Sequence, residues 1–409
     1  MKHIEKAYKF YTYTRKNGLG KAVRKTQDYL KKKSTTFKRP IDVMVDIEDV
    51  MKVDFINHPY RPPAKKTKKT ALSIGWVLSP LSEGSGGQRT ITRFARFLKQ
   101  QGHEVTFYIY EGIQPQTITE AKKILNEGFN LNVNVKKISQ YKESDAIIAT
   151  GWETAYPTFS LPTKAHKFYF VQDFEPLFYG TGSKTVLAES TYHMGLYGIT
   201  AGKWLTHRLS TEYGMSCNYF NFGVDLDIYR PADITALKKQ KKICFYARPV
   251  TERRAFELGV IALEIFHKKH PDYSIEFFGW DVSDYKVPFP YVNRGILPPK
   301  DLAVLFQESV ACLVLSLTNV SLLPFELLAA GCIPVMNEGD NNQMVLGKND
   351  YIAYTSAYPV QLAETLDTVI AHSKIDQYAR EAAESVKNVS WEESYKKVEK
   401  IIKKEVLKA

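Results

Sequence analysis

Apolar and polar residues alternate in blocks along most of this chain. From Ala71 onward, short apolar runs such as 72–78 and 104–110 have the length and the flanking turns of buried strands. The segment 90–101 between them carries apolar residues at helical spacing and ends at a glycine, Gly102. Strands that alternate with helices form parallel sheets covered by helices on both faces. The pattern therefore predicts an α/β protein.

The alternation of predicted strands and helices is interrupted once, near the middle of the chain. Residues 231–242 are polar and rich in lysine, and a second series of strands begins at Ile243. Because the two series have the same pattern, we predict two Rossmann-like domains that face each other across a cleft. The predicted parts are a basic N-terminal extension (1–70), a first Rossmann-like domain (71–235), a second one (236–388) and a closing helix that packs back on the first (389–409).

Positive charge is concentrated in the N-terminal extension. Residues 1–70 hold 19 of the 56 lysines and arginines but 7 of the 44 aspartates and glutamates, and the rest of the chain is balanced. Such a segment suits a solvated arm, a contact with anionic lipid or a contact with nucleic acid. No helix-turn-helix, RNP or zinc-finger pattern accompanies it, so we expect no nucleic-acid partner.

Other features narrow the class of protein. Residues 41–56 alternate loosely between apolar and polar and predict an edge strand. The sequence shows no apolar run of about 18 residues and no leader-like start, so we expect neither a membrane-spanning helix nor a signal peptide. The cysteines are not at metal-ligand spacing, and we expect free, small apolar side chains in a reducing compartment.

One unit of the second series carries the most informative motif. The apolar run 311–315 predicts a buried strand, and the polar turn 316–321 follows it. Pro324 marks the first turn of a helix, since proline is tolerated there, and Gly331 suits its end. The helix start then lies at the carboxyl end of the strand, where free N–H groups bind phosphate. Glu326 is about one turn in, where it accepts hydrogen bonds from a ribose or only complements the helix dipole.

Two further loops follow predicted strands and offer groups to an anion. Gly86 and Gly87 lie between the first strand and its helix, where they expose backbone N–H groups, although a plain flexible loop fits equally well. Arg248 and Arg253 follow the strand that opens the second series, and two guanidinium groups there suit a diphosphate. The alternative is a solvated helix start in which Glu252 pairs locally.

Two more strand ends carry candidates for substrate contacts. Ile296, Leu297 and Lys300 lie in a turn between a strand and a helix, where backbone groups can meet a nucleobase and the lysine a phosphate. The alternative for Lys300 is a surface lysine. Asp173 follows a strand of the first series, where its carboxylate can meet an acceptor hydroxyl or cap the loop.

Taken in order, these segments resemble the GT-B glycosyltransferases of the retaining family called GT4. The segments that carry the resemblance are 86–89, 102–105, 221–225, 229–231, Arg248 with Arg253, 325–335 and 391–392. The chain is most similar to the WsaF-type rhamnosyltransferases of S-layer and polyrhamnose glycan assembly, which use dTDP-β-L-rhamnose. The resemblance implies the GT-B fold, in which the two Rossmann-like domains face each other across a cleft.

The resemblance also implies roles for the candidate residues. Arg248 and Arg253 would bind the donor diphosphate, and Glu326 would hold the ribose. The family's other glutamate is replaced by Thr318, and its catalytic histidine is absent beside Asp173. The implied sugar contacts therefore shift to Thr318, Asn319 and the backbone N–H groups of Val320, Ser321 and Leu322. No metal or other cofactor is expected, because protein cations neutralise the diphosphate.

The implied function is transfer of L-rhamnose from dTDP-β-L-rhamnose to a growing, lipid-linked surface glycan, with retention of configuration. We expect the protein to be cytoplasmic, at the inner face of the cell membrane, with residues 1–70 on anionic lipid. Two alternatives stay open: a nucleotide-sugar epimerase or phosphorylase of the same fold, and a non-catalytic protein that binds glycan or membrane. The sequence also leaves a homodimer open.

Overall fold

Two parallel sheets form the framework of the protein. The structure, a computed structural model, describes residues 41–64, 68–82, 84–112 and 114–407. In these ranges the sheets have seven and six strands, and both belong to a compact unit that begins at Met44. Residues 41–43, which are described from the preceding unit, have no regular secondary structure. The predicted α/β fold with two Rossmann-like halves is confirmed.

The first sheet defines the N-terminal lobe. Its strands are β1 (Ser73–Leu78), β2 (Glu104–Ile109), β3 (Asn134–Lys137), β4 (Ala146–Ala149), β5 (His166–Val171), β6 (Tyr197–Ala201) and β7 (Cys217–Phe220). Its helices are α1 (Ile47–Met51), α2 (Gly86–Gln100), α3 (Ile118–Phe129), α4 (Trp152–Ser160), α5 (Ser183–Ser190) and α6 (Lys203–Tyr213). The short helix α7 (Leu226–Tyr229) lies in the segment that links the lobes and packs on the second one, where Tyr229 stacks on Phe306. The strand order is β3-β2-β1-β4-β5-β6-β7, so the order reverses between β1 and β4.

The second sheet defines the C-terminal lobe. Its strands are β8 (Gln240–Tyr246), β9 (Ser274–Phe278), β10 (Val292–Asn293), β11 (Ser309–Val314), β12 (Ile333–Asn337) and β13 (Ala353–Thr355). The helices that follow are α8 (Phe256–Lys269), α9 (Pro299–Glu308), α10 (Leu323–Ala329), α11 (Asp340–Leu346), α12 (Pro359–Ile370), α13 (Ile375–Ser385) and α14 (Glu392–Val406). The order β10-β9-β8-β11-β12-β13 reverses between β8 and β11. Short 3₁₀ helices lie at Ile138–Gln140, Glu175–Phe178, Thr191–His193, Ile234–Ala236 and Glu252–Arg254.

The central strands are apolar because helices cover both faces of each sheet. Every residue of β4 and of β11 is buried. In the N-terminal lobe, Phe94 of α2 packs edge-on against Phe170 of β5 and Phe220 of β7, with ring centroids 5.3 and 4.7 Å apart. This aromatic cluster holds α2 against the sheet, so its glycine-rich start stays at the carboxyl ends of the strands.

The closing helix α14 crosses back to the N-terminal lobe, as predicted. Tyr395 stacks on Phe97 of α2 with ring centroids 5.3 Å apart. Ser394 Oγ donates a hydrogen bond to the carbonyl of Asn221, at 2.6 Å. The chain therefore begins and ends its Rossmann-like framework on the same lobe.

The predicted edge strand at 41–56 is wrong. This segment forms helix α1, because Asp46 caps its start by accepting a hydrogen bond from the backbone N–H of Glu48, at 2.9 Å. The Tyr110 hydroxyl accepts from the backbone N–H of Asp46 (2.8 Å) and donates to Asp49 Oδ2 (2.9 Å). These contacts fix the segment on the N-terminal lobe near the end of β2.

Two more contacts extend this attachment. The Tyr179 hydroxyl lies 3.5 Å from the sulfur of Met44, and the Tyr60 hydroxyl accepts from the backbone N–H of Lys167 at 3.0 Å. The part of the basic extension that is described from Met44 onward thus packs on the lobe. Residues 1–40 and 65–67 lie outside the described residues, so what we predict for them stays a prediction.

Cysteine usage agrees with the expectation. All four cysteines are free, and Cys244, Cys312 and Cys332 are buried in the C-terminal lobe. Among the residues that the structure describes, no helix combines the length and the apolar character that a bilayer crossing requires.

The crossing of the closing segment over Gly223 gives a stability prediction. A Cβ atom at Gly223 would lie 2.5 Å from the backbone nitrogen of Trp391, which leaves no room for a methyl group. We expect Gly223→Ala to lower the free energy of unfolding by about 1–3 kcal/mol through overpacking. Chemical denaturation followed by circular dichroism measures this.

The matched control is Gly128→Ala near the end of α3, where a Cβ would meet no atom within 4 Å. This substitution should leave stability unchanged or raise it by up to about 1 kcal/mol, because alanine favours helix more than glycine. Equal effects of the two substitutions would contradict the close crossing at Gly223.

Candidate active site

The carboxylate of Asp173 joins the two lobes at the carboxyl ends of their sheets. Its Oδ1 accepts hydrogen bonds from the backbone N–H groups of Asn319 and Phe174 (both 2.8 Å), and its Oδ2 accepts from Thr318 Oγ1 (3.0 Å) and Arg253 Nε (3.1 Å). Asp173 and Phe174 follow β5, whereas the other three donors follow β11 and β8. The residue is 8 % exposed, so its charge is stabilised by these donors rather than by water.

The loop between β11 and α10 makes a second contact with the N-terminal lobe. Asn319 Nδ2 donates to the carbonyls of Gln172 (2.9 Å) and Ala201 (2.8 Å). Beside it, Gly202 adopts a positive φ of 90°, and a Cβ there would lie 2.7 Å from Val345 Cγ2 of α11. The lobes therefore meet closely at the ends of β5 and β6, and only glycine fits at position 202.

Three asparagines support the same loop from the C-terminal lobe. Asn337 accepts from the backbone N–H of Ser316 at 2.8 Å and donates to its carbonyl at 2.9 Å. Asn341 donates to the carbonyls of Ser316 and Thr318, and Asn342 to that of Asn337. The sequence analysis missed these residues. The available signal was that Asn337 ends the strand next to β11, since carboxyl ends of adjacent parallel strands share one edge of the sheet.

Three arginines lie close together after β8. The guanidinium of Arg253 lies 4.0 Å from the ring centroid of Phe178, and that of Arg248 lies 5.8 Å from the ring of Trp280. Arg254 is buried and donates to Ser316 Oγ. Burial lowers the pKa of Arg254, and the positive charges of its two neighbours lower it further. Excess positive charge is thus held at this edge of the sheet.

Several buried polar atoms here lack a protein partner. Arg248 Nε, Ser321 Oγ and Asn319 Oδ1 have none among the described residues. Within the same ranges, the backbone N–H groups of Val320, Ser321 and Leu322 donate to no protein acceptor either. Buried polar groups are nearly always satisfied in native proteins. Asn319 Oδ1 is an acceptor, but Arg248 Nε, Ser321 Oγ and the three backbone N–H groups are donors, and these are suited to a bound anion.

Glu326 lies apart from this group, on the side of the segment that links the lobes. Burial raises the pKa of Glu326 to about 7, the charge of Asp225 adds to the rise, and a hydrogen bond from the Tyr229 hydroxyl opposes it. Arg93, which pairs with Asp225, also opposes it. The predicted position of Glu326 in the first turn of α10 is observed.

The predicted base-contacting turn lies beyond β10. Gly295 has a positive φ of 59° and its N–H is 3.2 Å from Asn293 Oδ1, which turns the chain back toward α9. Ile296 is 71 % exposed, Leu297 is partly buried, and Lys300 is exposed in the first turn of α9. The exposed side chain of Ile296 offers an apolar surface on which a planar ring can stack.

The glycine loop lies on the opposite side of the cleft. Ser85 caps α2 by accepting a hydrogen bond from the N–H of Gln88 at 3.4 Å. A Cβ at Gly86 would meet no atom within 4 Å, and one at Gly87 would lie 3.4 Å from Gln172 Nε2. The loop is therefore next to the residue that precedes Asp173.

The structure brings some of the predicted residues together and keeps others apart. Asp173, Arg253, Thr318 and Asn319 are in direct contact, and Gly87 is adjacent to them through Gln172. Thr318 and Asn319 direct their polar groups to the N-terminal lobe, so the remaining donors of this loop are those of residues 320–322. In residues 41–64, 68–82, 84–112 and 114–407, no three metal-ligating side chains are grouped so as to hold an ion.

Two family models match the chain. The model described as the WsaF N-terminal domain matches residues 107–201, and the model described as the WsaF C-terminal domain matches residues 241–367. They fall in the two lobes in the order of their names and together cover just over half of the chain. The chain belongs to the WsaF family. The resemblance that the sequence predicts is therefore confirmed.

A curated relative agrees with the WsaF assignment. The O-antigen biosynthesis protein RfbC of Myxococcus xanthus is 30 % identical over 350 residues, which are 82 % of this chain and 27 % of RfbC. The chain thus spans about a quarter of the length of this relative.

Solved structures show the GT-B fold of this WsaF family member. Sucrose-phosphate synthase of Thermosynechococcus elongatus matches with a TM-score of 0.61 and 13 % identity, over 81 % of this chain and 98 % of that one. Anabaena HepE, solved in complex with UDP and glucose, matches with a TM-score of 0.61 and 12 % identity, over 81 % of this chain and 99 % of that one. At these identities the likeness concerns the fold.

The contact between the lobes gives the next prediction. Asp173→Ala leaves four donors without their acceptor, three of them from the other lobe, so we expect it to lower the free energy of unfolding by about 2–3 kcal/mol. Thr318→Val, which removes one donor at nearly constant volume, should cost about 1 kcal/mol. Because the two side chains touch, the double variant should cost less than the two single changes together.

Denaturant unfolding of the four proteins in this cycle measures the coupling. The control is Thr368→Val on the exposed face of α12, which should stay within about 0.5 kcal/mol of the parent protein. Strict additivity of Asp173→Ala and Thr318→Val would contradict the observed hydrogen bond.

Proposed function

We propose that this chain transfers a sugar from a nucleotide-sugar donor to a growing surface glycan. The donor we propose is dTDP-β-L-rhamnose, the acceptor is lipid-linked, the configuration is retained, and no metal takes part. One observation carries the proposal: the buried Arg248 Nε and the backbone N–H groups of residues 320–322, which have no protein acceptor among the described residues, lie where the strand order of the C-terminal lobe reverses. Ligands of open parallel sheets bind at such reversals.

The charge at this place fits a diphosphate leaving group. In the transfer, the bond from the sugar C1 to the diphosphate oxygen breaks and its electron pair goes to the diphosphate. The acceptor hydroxyl oxygen forms the new bond to C1, and its proton goes to the departing phosphate. Negative charge that develops on the diphosphate is stabilised by Arg248, Arg253 and the loop amides, more strongly in a cleft that excludes water than in bulk solvent.

Asp173 holds one of these cations in place. It engages Arg253 through Nε alone among the guanidinium nitrogens in the described residues, which leaves the terminal nitrogens for phosphate oxygens. Phe178 supports the same guanidinium from below. We therefore assign Asp173 to orientation of Arg253 and of the β11–α10 loop, in addition to any contact with the acceptor.

The positions of four other residues suggest the remaining contacts with the nucleotide of the sugar donor. Glu326 and its Tyr229 partner would meet the ribose, and Ile296 and Leu297 the base. The glycan product is supported by the name of the RfbC relative, and rhamnose as the sugar by the WsaF-type resemblance. Retention follows from attack on the face that the leaving group vacates, since no carboxylate is assigned as a nucleophile.

Removal of Arg248 tests this assignment. Arg248→Ala should lower the rate of sugar transfer from dTDP-β-L-rhamnose about 100-fold or more, which is the usual cost of losing a group that stabilises developing charge. Arg253→Lys should keep more activity than Arg253→Ala, because it keeps the charge. Radiolabel transfer to a rhamnose-terminated acceptor measures both.

The control for these variants is Arg61→Ala, which removes an exposed arginine outside the site and should leave the rate unchanged. Incubation of the donor alone separates the alternatives, because an epimerase changes the donor without an acceptor. Near-normal transfer by Arg248→Ala would remove its assigned role, and absence of transfer with every nucleotide sugar would remove the proposed function.

We also propose that the basic extension seats the enzyme on the anionic inner face of the cell membrane, where a lipid-linked acceptor lies. Residues 1–40 hold 13 of the 56 lysines and arginines. A truncation that begins at residue 41 keeps Val45, α1 and Tyr60, which pack on the N-terminal lobe. It therefore removes 13 basic residues and keeps these contacts with the lobe.

Deletion of residues 1–40 should abolish co-sedimentation with phosphatidylserine-containing vesicles at low salt, because each basic residue near such a surface contributes about 1 kcal/mol. Vesicles of phosphatidylcholine alone serve as the control, and the intact chain should release from the anionic vesicles as salt rises. If the truncated protein bound the anionic vesicles as well as the intact chain does, the proposed contact of residues 1–40 with the membrane would be contradicted.

A further inference from the structure

The N-terminal lobe has its own reversal of strand order, between β1 and β4. None of the proposed contacts with the nucleotide-sugar donor lies there. Ser79 follows β1 and Glu153 lies in the first turn of α4, just after β4. Ser79 Oγ hydrogen-bonds to Glu153 Oε1, so one short contact bridges the two strand ends. Open parallel sheets bind ligands at the carboxyl ends of strands on either side of such a reversal.

The local backbone fixes where the Glu153 carboxyl lies. Thr150 Oγ1 donates to the carbonyl of Val77 at 2.7 Å, which ties the end of β4 to the end of β1. A Cβ at Gly151 would lie 2.9 Å from both carboxyl oxygens of Glu153. The side chain thus folds back over the end of β4 instead of extending into solvent, and position 151 has no side chain that would displace it.

A second carboxyl nearby shows what a purely structural role looks like. Glu175 is 5 % exposed, and its Oε2 accepts from the backbone N–H of Trp152 (2.5 Å) and from the Tyr169 hydroxyl (2.7 Å). Glu175 therefore provides the acceptor for a backbone N–H group at the start of α4. Glu153 is partly exposed, and of the side chains that the structure places, Ser79 is the one that hydrogen-bonds to it.

Glu153 also lies near the proposed diphosphate site. Trp152, the residue before Glu153, donates from Nε1 to the Tyr179 hydroxyl at 3.0 Å. Tyr179 is next in the chain to Phe178, on whose ring Arg253 lies. The carboxyl at the β1–β4 reversal and the cations at the β8–β11 reversal therefore border the same cleft.

The two reversals differ in charge, and this difference indicates their ligands. Guanidinium groups and free amides at the β8–β11 reversal suit a diphosphate. A carboxyl and a hydroxyl at the β1–β4 reversal repel a phosphate, but they accept hydrogen bonds from neutral hydroxyl groups. The proposed reaction requires a second molecule with hydroxyl groups beside the bound sugar donor, and this molecule is the acceptor.

We propose that Glu153 and Ser79 bind the acceptor sugar, with the Glu153 carboxyl accepting a hydrogen bond from one of its hydroxyl groups. The assignment rests on the proposed function and adds to it the residues that position the acceptor. Glu153 is an acceptor-binding residue, and the departing phosphate still receives the proton in the transfer step.

The experiment compares Glu153→Gln and Ser79→Ala with the parent protein, using dTDP-β-L-rhamnose as donor and octyl α-L-rhamnoside, octyl α-D-glucoside and octyl α-D-galactoside as acceptor probes. We expect each substitution to raise the acceptor KM about tenfold, as loss of one hydrogen bond to the bound sugar does. The donor KM and the affinity for dTDP in calorimetry should stay unchanged. Glu127→Gln on the exposed face of α3 is the matched control.

Monodeoxy versions of the best probe identify the hydroxyl. With the parent protein, one monodeoxy probe should have an acceptor KM about tenfold higher than that of the full sugar. With Glu153→Gln, the same probe and the full sugar should have equal KM values, because the hydrogen bond is already absent. A role in folding alone would lower dTDP affinity and kcat with every probe and would give no such pattern. Ser79→Ala leaves α4 intact, so it tests the site even where Glu153→Gln unfolds.

Each outcome decides between the claims. An unchanged acceptor KM in both variants, or a parent protein that binds dTDP but saturates with none of the sugars, would overturn the acceptor site and leave the donor assignment standing. A parent protein that binds neither dTDP nor dTDP-β-L-rhamnose would overturn the proposed function itself.

Discussion

The geometry of the cleft depends on the Asp173 carboxylate. It lies at the end of β5 in one lobe, and all of its side-chain donors and one backbone donor come from the other. A buried charge requires such partners, because desolvation without them costs more than folding can offset. The contact therefore sets the distance between the lobes and the orientation of Arg253 together.

Both lobes use the same architecture for different chemistry. Each sheet reverses its strand order once among the described strands, and each reversal collects polar side chains from two strand ends. In the C-terminal lobe these are arginines and unpaired amides, and in the N-terminal lobe they are Ser79 and Glu153. In the proposed function, the cations of the C-terminal lobe bind the leaving group and the hydroxyl-binding pair of the N-terminal lobe binds the incoming group. On that proposal, one repeated fold brings together two substrates of unlike charge.

Much of the fold was predictable because it depends on local patterns. Apolar runs of strand length and helical spacing between them are properties of short segments, and they located both sheets, the Pro324 helix start and the closing helix. Helix α1 was missed because loose alternation was given more weight than Asp46, a capping residue. The candidate site was predictable as far as strand ends mark it. The bond from Asp173 to Thr318 joins residues 145 positions apart, and neither its existence nor the support from Asn337 and Asn341 is encoded in a local pattern.

The chain enters the compact unit at Met44, beside the Tyr179 hydroxyl. Tyr179 adjoins Phe178, whose ring lies against the Arg253 guanidinium. The packing of Met44 is therefore linked to the position of Arg253 through two adjacent aromatic residues, although Met44 lies 209 positions before Arg253 in the sequence.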